Sequence, residues 1–235
     1  MIKGFLHLLV FAWCFSVMGQ IEFIDLPGHG NNLEELIPEK WDTLSTAKGD
    51  LNKDGISDVA FVIQGTDKVN FEVSELYDQD TLNLNPRVLG IYFGDGSGGY
   101  VKQNQSNTFI LLRDSPTMDE PLEGIEITDK GVLQIRFLFF YSAGSWYTSN
   151  HLYQFRFQND KFKLIGYDTT DTHRATGEVT SYSINFLTGK MSITRSNFTN
   201  DEPESVEWKD FKLPELKSLD SFAEPFKWSF EGIHI

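Results

Sequence analysis

Between residues 109 and 193 the chain reads as short segments of alternating apolar and polar residues, closed by turn pairs. Tyr153, Phe155 and Phe157 alternate with Gln154 and Arg156, and Tyr182, Ile184 and Phe186 repeat the pattern. Successive side chains of a strand point to opposite faces, so a period of two sets one face on a core and the other toward water. Asn159-Asp160, Thr188-Gly189 and Asp129-Lys130-Gly131 are turn formers between these segments. Residues 109–112, 162–165 and 191–193 supply further strands, and the nearly all-apolar run 132–141 is expected to lie centrally with both faces covered. Successive hairpins of this kind make an antiparallel meander. The expected fold is therefore all-β: antiparallel hairpins forming propeller-blade-like sheets or a sandwich, with one or two short helices. Those helices are expected at 32–37, with Asn32 as cap, and at 214–222, with Leu216 and Leu219 facing inward. The alternating tail Phe226, Trp228, Phe230 and Ile233 is expected to pair with a sheet, and Trp41 and Leu44 to touch the core.

One run carries more specific chemistry. Asp50-Leu51-Asn52-Lys53-Asp54-Gly55-Ile56-Ser57-Asp58 leads directly into the apolar Val59-Ala60-Phe61-Val62-Ile63. Side-chain oxygens recur at every second position, at Asp50, Asn52 and Asp54. Gly55 follows where the backbone must turn sharply. Asp58 adds a carboxylate, and the Ile56 carbonyl lies between as a main-chain donor. Calcium takes roughly six to eight hard oxygens at about 2.3–2.6 Å, and this spacing can gather them. An EF-hand would need a Glu where Phe61 stands, so the loop belongs between strands. Asp, Asn and Gly are also ordinary turn residues, and a solvated acidic turn is the competing reading.

The run G-D-L-N-K-D-G-I-S-D-V-A-F-V resembles the calcium-loop repeat of integrin-alpha-type propeller blades, the FG-GAP or VCBS repeats of exported bacterial proteins. The likeness continues into residues 89–100, L-G-I-Y-F-G-D-G-S-G-G-Y, which look like the later strands and turn of such a blade. It covers about one repeat; no second D-x-N-x-D-G run occurs. The resemblance implies that Asp50, Asn52, Asp54, Ile56 through its carbonyl, and Asp58 ligate calcium, in a role that braces the fold. The runs S-W-Y-T-S-N-H-L-Y-Q-F-R-F from Ser145, L-I-G-Y from Leu164 and N-F-L-T-G-K from Asn185 look like a pattern in uncharacterised exported bacterial proteins, which implies no activity.

The N-terminus reads as a secretory signal over residues 1–19: Lys3, an apolar stretch from 5 to 18, then cleavage before Gln20. The apolar stretch is short for a membrane span. Its Cys14 is the one cysteine, so the exported chain would hold no disulfide. Residues 20–235 are expected as a single β-rich domain, with a calcium-loop, blade-like half at 20–115 and an antiparallel meander at 116–235. The formal charge of −14 disfavours nucleic acid and anionic membranes and favours cations. A periplasmic or extracellular location follows, without stable membrane insertion after cleavage.

Catalytic signals are weak. Gly94 to Gly99 lacks the Lys and Ser/Thr of a phosphate loop, and Ser97 lacks the context of a nucleophile elbow, so a hairpin turn is expected. His29, His151, His173 and His234 share no metal-ligand spacing. His173, in the polar stretch 168–174 with Asp171 and Glu178 nearby, is the best general-base candidate, but no catalytic residue is assigned. The acidic segment 69–86 is expected as a long loop. Trp146 and Tyr147 are the candidate ligand-binding residues, with burial of Trp146 in the core as the alternative. The expected function is an exported, calcium-stabilised β protein with a binding or scaffolding role toward a protein or glycan. Two alternatives stand beside it: an extracytoplasmic glycan hydrolase using two carboxylates, and an acidic inhibitor or immunity-type protein.

Overall fold

A computed structural model describes residues 24–74, 80–200, 204–222 and 224–235. The signal-like segment therefore lies outside the described residues, as do Glu75 and Asp78 of the acidic segment. The described chain is all-β, as the alternating pattern requires, with helical structure limited to single 3-10 turns.

The first sheet has five antiparallel strands: β1 (His29–Gly30), β2 (Trp41–Gly49), β3 (Asp58–Gly65), β6 (Arg87–Gly94) and β7 (Tyr100–Ser106), ordered β1-β7-β6-β3-β2. Between β3 and β6, a small hairpin of β4 (Phe71–Val73) and β5 (Thr81–Asn83) replaces the expected structureless loop. At its turn end Asp80 pairs with Arg113, which keeps the Asp80 carboxyl below the usual range.

The second sheet is a seven-stranded meander curled into a half-barrel. It comprises β8 (Leu122–Ile127), β9 (Val132–Phe140), β10 (Tyr147–Gln158), β11 (Lys161–His173), β12 (Glu178–Asn185), β13 (Lys190–Asn197) and β14 (Ser205–Asp210), each paired with the next. The turn chemistry is what the sequence requires. Asn159 and Asp160 both take positive φ, 51° and 57°, the mirror-image turn that matches strand twist.

One core joins the sheets. Ala60, Val62, Leu89 and Ile91 from the first meet Leu133, Ile135, Tyr153, Phe155, Leu164, Tyr167 and Ile184 from the second. A smaller cluster around Phe61, Ile63, Val88 and Tyr92 fills the other face of the first sheet, so β3 is buried throughout. Two polar ties accompany the shared core. The Ile125 N–H donates to Ser45 Oγ at 3.1 Å, bringing β8 to β2. Arg87, almost wholly buried, forks onto both carboxylate oxygens of Glu120 at 2.6 and 2.7 Å and donates to the Leu111 carbonyl.

Five local expectations are corrected. Residues 109–112 form no strand; the segment crosses between the sheets, and Phe109 stands edge-on to Tyr153, Phe155 and Phe222. β9 is covered on one face only, because Gln134 and Arg136 turn outward between its apolar residues. Leu44 is exposed at the bulge where the β2–β3 register slips between Thr43 and Ser45, while Trp41 packs on the smaller cluster. The tail forms its own hairpin, β15 (Ser229–Phe230) with β16 (Ile233–His234). Trp228 and Phe230 instead cap the core, packing their rings on Phe186 and Phe211. The helix expected at 214–222 shrinks to one turn at Leu219–Ser221, though Leu219 is buried and Leu216 packs on the core as expected.

Phe109 is the strongest test of this packing. Phe109→Ala should lower unfolding stability by about 3–5 kcal/mol in urea denaturation, as for other buried aromatics. A loss under about 1 kcal/mol would place Phe109 outside the core.

Candidate functional site: an acidic corner and two surface concavities

The loop at residues 50–58 joins β2 to β3 and is built by its own side chains. Asp50 Oδ1 accepts from the N–H of Lys53 (2.7 Å) and of Asp54 (3.2 Å), and its Oδ2 accepts from Gly55 (3.0 Å). Asn52 Oδ1 accepts from Asp54 N–H at 3.0 Å, and Asp54 Oδ1 from Ile56 N–H at 2.8 Å. These nested side-chain-to-backbone bonds need left-handed residues, supplied by Gly55 (φ 87°) and by Lys53 (φ 67°). The strained Lys53 was not foreseen from its residue type. Its Nζ donates to the Asp129 carbonyl at 2.9 Å, tying the loop to the β8–β9 turn. Gly131 allows that approach: a Cβ there would stand 2.6 Å from the Asp50 carbonyl oxygen.

Asp58 is fully buried at the first position of β3. Its Oδ2 accepts from Leu51 N–H at 2.7 Å and its Oδ1 from Gly94 N–H at 2.9 Å. Burial pushes its carboxyl up, against the downward pull of backbone N–H groups, and the charge of Asp54 adds to the rise. The Leu51 side chain enters the shared core. Asp50, Asp54 and Asp58 form no salt bridge among the described residues. Nor do three or more His, Cys, Asp or Glu side chains come together there as a ready metal cluster. Asn52 Nδ2 donates to Asp54 Oδ2 at 2.8 Å, closing the ring from within. The donor chemistry fits a hard cation. A carboxylate offers about four lone-pair sites, and Asp58 and Asp54 each accept two of the hydrogen bonds just described.

Trp146 and Tyr147 lie on the surface, at the junction of the β9–β10 loop with β10. Trp146 is 66% exposed, so the core alternative fails for it, and Tyr147 is 51% exposed. Tyr147 stands edge-on to His173 at 4.7 Å. Residues 142–146 and Arg174 line an open concavity of about 400 Å³. Arg174 holds the loop by donating to the Tyr141 and Ser145 carbonyls, and its guanidinium lies 4.5 Å from the Phe140 ring centroid.

The stretch 168–173 is strand rather than loop, since it belongs to β11. His173 is engaged locally: its Nδ1 accepts from Thr176 N–H at 3.1 Å. His151 is the more unusual histidine. The Tyr167 and Thr169 hydroxyls lie 2.8 and 3.0 Å from its Nδ1, and Phe139 and Phe226 pack against the ring. Burial holds its pKa down at about 4, with the Asp171 carboxylate pulling the other way.

A second concavity, about 700 Å³, lies on the face of the second sheet opposite the core. The strand register aligns Gln134, Gln154, Gly166 and Asn185 across four strands, with Arg156 and Asp168 beside them. Sequence reading missed this groove, because its row exists only once the strand order is known. Comparisons with protein-family models, with curated proteins and with solved structures return no match.

Two outcomes are expected. Asp58→Asn, which turns an amide NH₂ toward one of the two N–H donors, should lower stability by about 1–3 kcal/mol, measured by urea denaturation; an unchanged midpoint would contradict the brace. His151 titrates near 6.5 when unfolded and near 4 when folded, so the unfolded chain binds more protons between those values. Wild-type stability should therefore fall as pH drops from about 6.5 to about 4, and its margin over His151→Gln should shrink across that window. A pH-independent margin would contradict neutral burial.

Proposed function

We propose that the chain is an exported, calcium-stabilised β protein with a binding or scaffolding role, a metal-braced body rather than an enzyme. The observation that carries the calcium reading is the acidic loop itself. Three side-chain oxygen positions, Asp50, Asn52 and Asp54, organise the backbone around themselves, next to the buried carboxylate of Asp58, which pairs with no basic side chain among the described residues. In this reading the Ile56 carbonyl completes the donor set, and binding draws the Asp54 carboxylate away from Asn52 Nδ2. The resemblance to a single FG-GAP or VCBS calcium loop points the same way. The exposed pair Trp146 and Tyr147 offers the contact surface, since aromatics at such positions anchor glycans or protein partners. Export rests on the signal-like residues 1–19 and the absence of cysteine after residue 14.

The test is thermal unfolding with calcium, with chelator, and in Asp54→Ala. At a hundred times its dissociation constant calcium should stabilise the wild type by about 2.7 kcal/mol, and Asp54→Ala should lose most of that gain. No shift in the wild type, or an equal shift in the variant, would remove calcium from the account.

A further inference from the structure

The edges of the two sheets are treated unequally. β8 lies against β2 through the Ile125–Ser45 bond. The outer edge of β7 is occupied by β1 and by the chain before it: Lys102 N–H donates to the Gly28 carbonyl at 2.9 Å, and the Gln105 side chain bonds Leu26 N–H and the Ile24 carbonyl. β14 is the edge of the second sheet left open among the described residues. It pairs only with β13, and all of its residues are exposed. An edge of this kind presents an unpaired row of N–H and C=O groups.

Its side chains select what can pair with it. The ladder sets Glu207 opposite Ile193 and Lys209 opposite Met191, on the core-facing side. Val206 and Trp208 stand opposite Thr194 and Ser192 on the outer side, 51% and 69% exposed. Charges on the core-facing side of an edge strand oppose indiscriminate pairing. A second copy of β14 answers them. Antiparallel pairing about a two-fold axis at Trp208 sets Glu207 opposite Lys209 of the second copy, and Lys209 opposite its Glu207. The two Trp208 rings then meet on the outer face. Slipping the register by two residues either way sets Glu207 against Glu207, or Lys209 against Lys209, which is unfavourable. Among the described residues Glu207 has loose partners, Lys209 at 3.4 Å and Arg195 at 3.6 Å, all half-exposed.

We infer that β14 is a homodimer edge, joining two seven-stranded sheets through an isologous antiparallel contact centred on Trp208. The inference depends neither on calcium nor on a ligand.

Sedimentation equilibrium of the purified chain at low salt tests it, with Glu207→Lys, Lys209→Glu and the double exchange. The wild type should show a concentration-dependent dimer. Each single reversal should raise the dissociation constant about tenfold or more, and the double exchange should restore it. A wild type monomeric up to ~1 mM, the weak end of measurable affinity, would overturn the inference. So would single variants that dimerise as the wild type does, or a double exchange no tighter than the singles. Should a variant fold poorly, hydrogen exchange on the wild type decides alone: β14 amides must gain protection with concentration, and a dimer that leaves them unprotected overturns the assignment.

Discussion

One buried carboxylate organises the junction on which this fold depends. Asp58 opens β3, the strand buried on both faces, and accepts N–H groups from Leu51 in the preceding loop and Gly94 at the end of β6. Leu51 in turn carries its side chain into the core shared by both sheets, while Lys53 and Gly131 close the loop onto the β8–β9 turn. A charge so placed is costly unless it is satisfied. Here backbone donors satisfy it, and among the described residues no basic side chain does. That arrangement makes the corner a structural brace, and it is where the proposed calcium would sit.

The rest of the body follows from joining two unlike sheets. The first is covered on both faces, by the second sheet and by the N-terminal segment around Leu26 and Leu36. The second curls, is apolar only inside, and leaves a polar outer face crossed by a row of amides. Aromatic rings fill the space that curling opens: Phe109 from the crossing segment, Phe222 and Phe226 from the C-terminal part, and Trp228 with Phe230 as a lid. Such edge-to-face clusters fill volume without polar atoms, which suits a chain whose described core has no disulfide to rely on.

Much of this was legible in the sequence because it is local. The period-two segments gave the strands of the meander, and Asn159-Asp160 and Thr188-Gly189 gave its turns. The acidic loop announced itself through the spacing of Asp50, Asn52 and Asp54. What stayed hidden is what only tertiary pairing decides. Residues 109–112 are as apolar as a strand, yet serve as a plug between sheets. Leu44 is lost to a bulge that no composition signals. The row Gln134, Gln154, Gly166 and Asn185 is scattered over fifty residues and meets only through register. Trp146 has the residue type of a core anchor, and only the loop held by Arg174 shows that it faces water.

Amide hydrogen exchange at Leu51 and Gly94, followed by NMR with and without calcium, reaches this junction directly. If Asp58 holds both segments, these two amides exchange only as slowly as the whole domain unfolds, and calcium slows them further. Exchange at the rate of open turn amides, unmoved by calcium, would show that the corner binds nothing together.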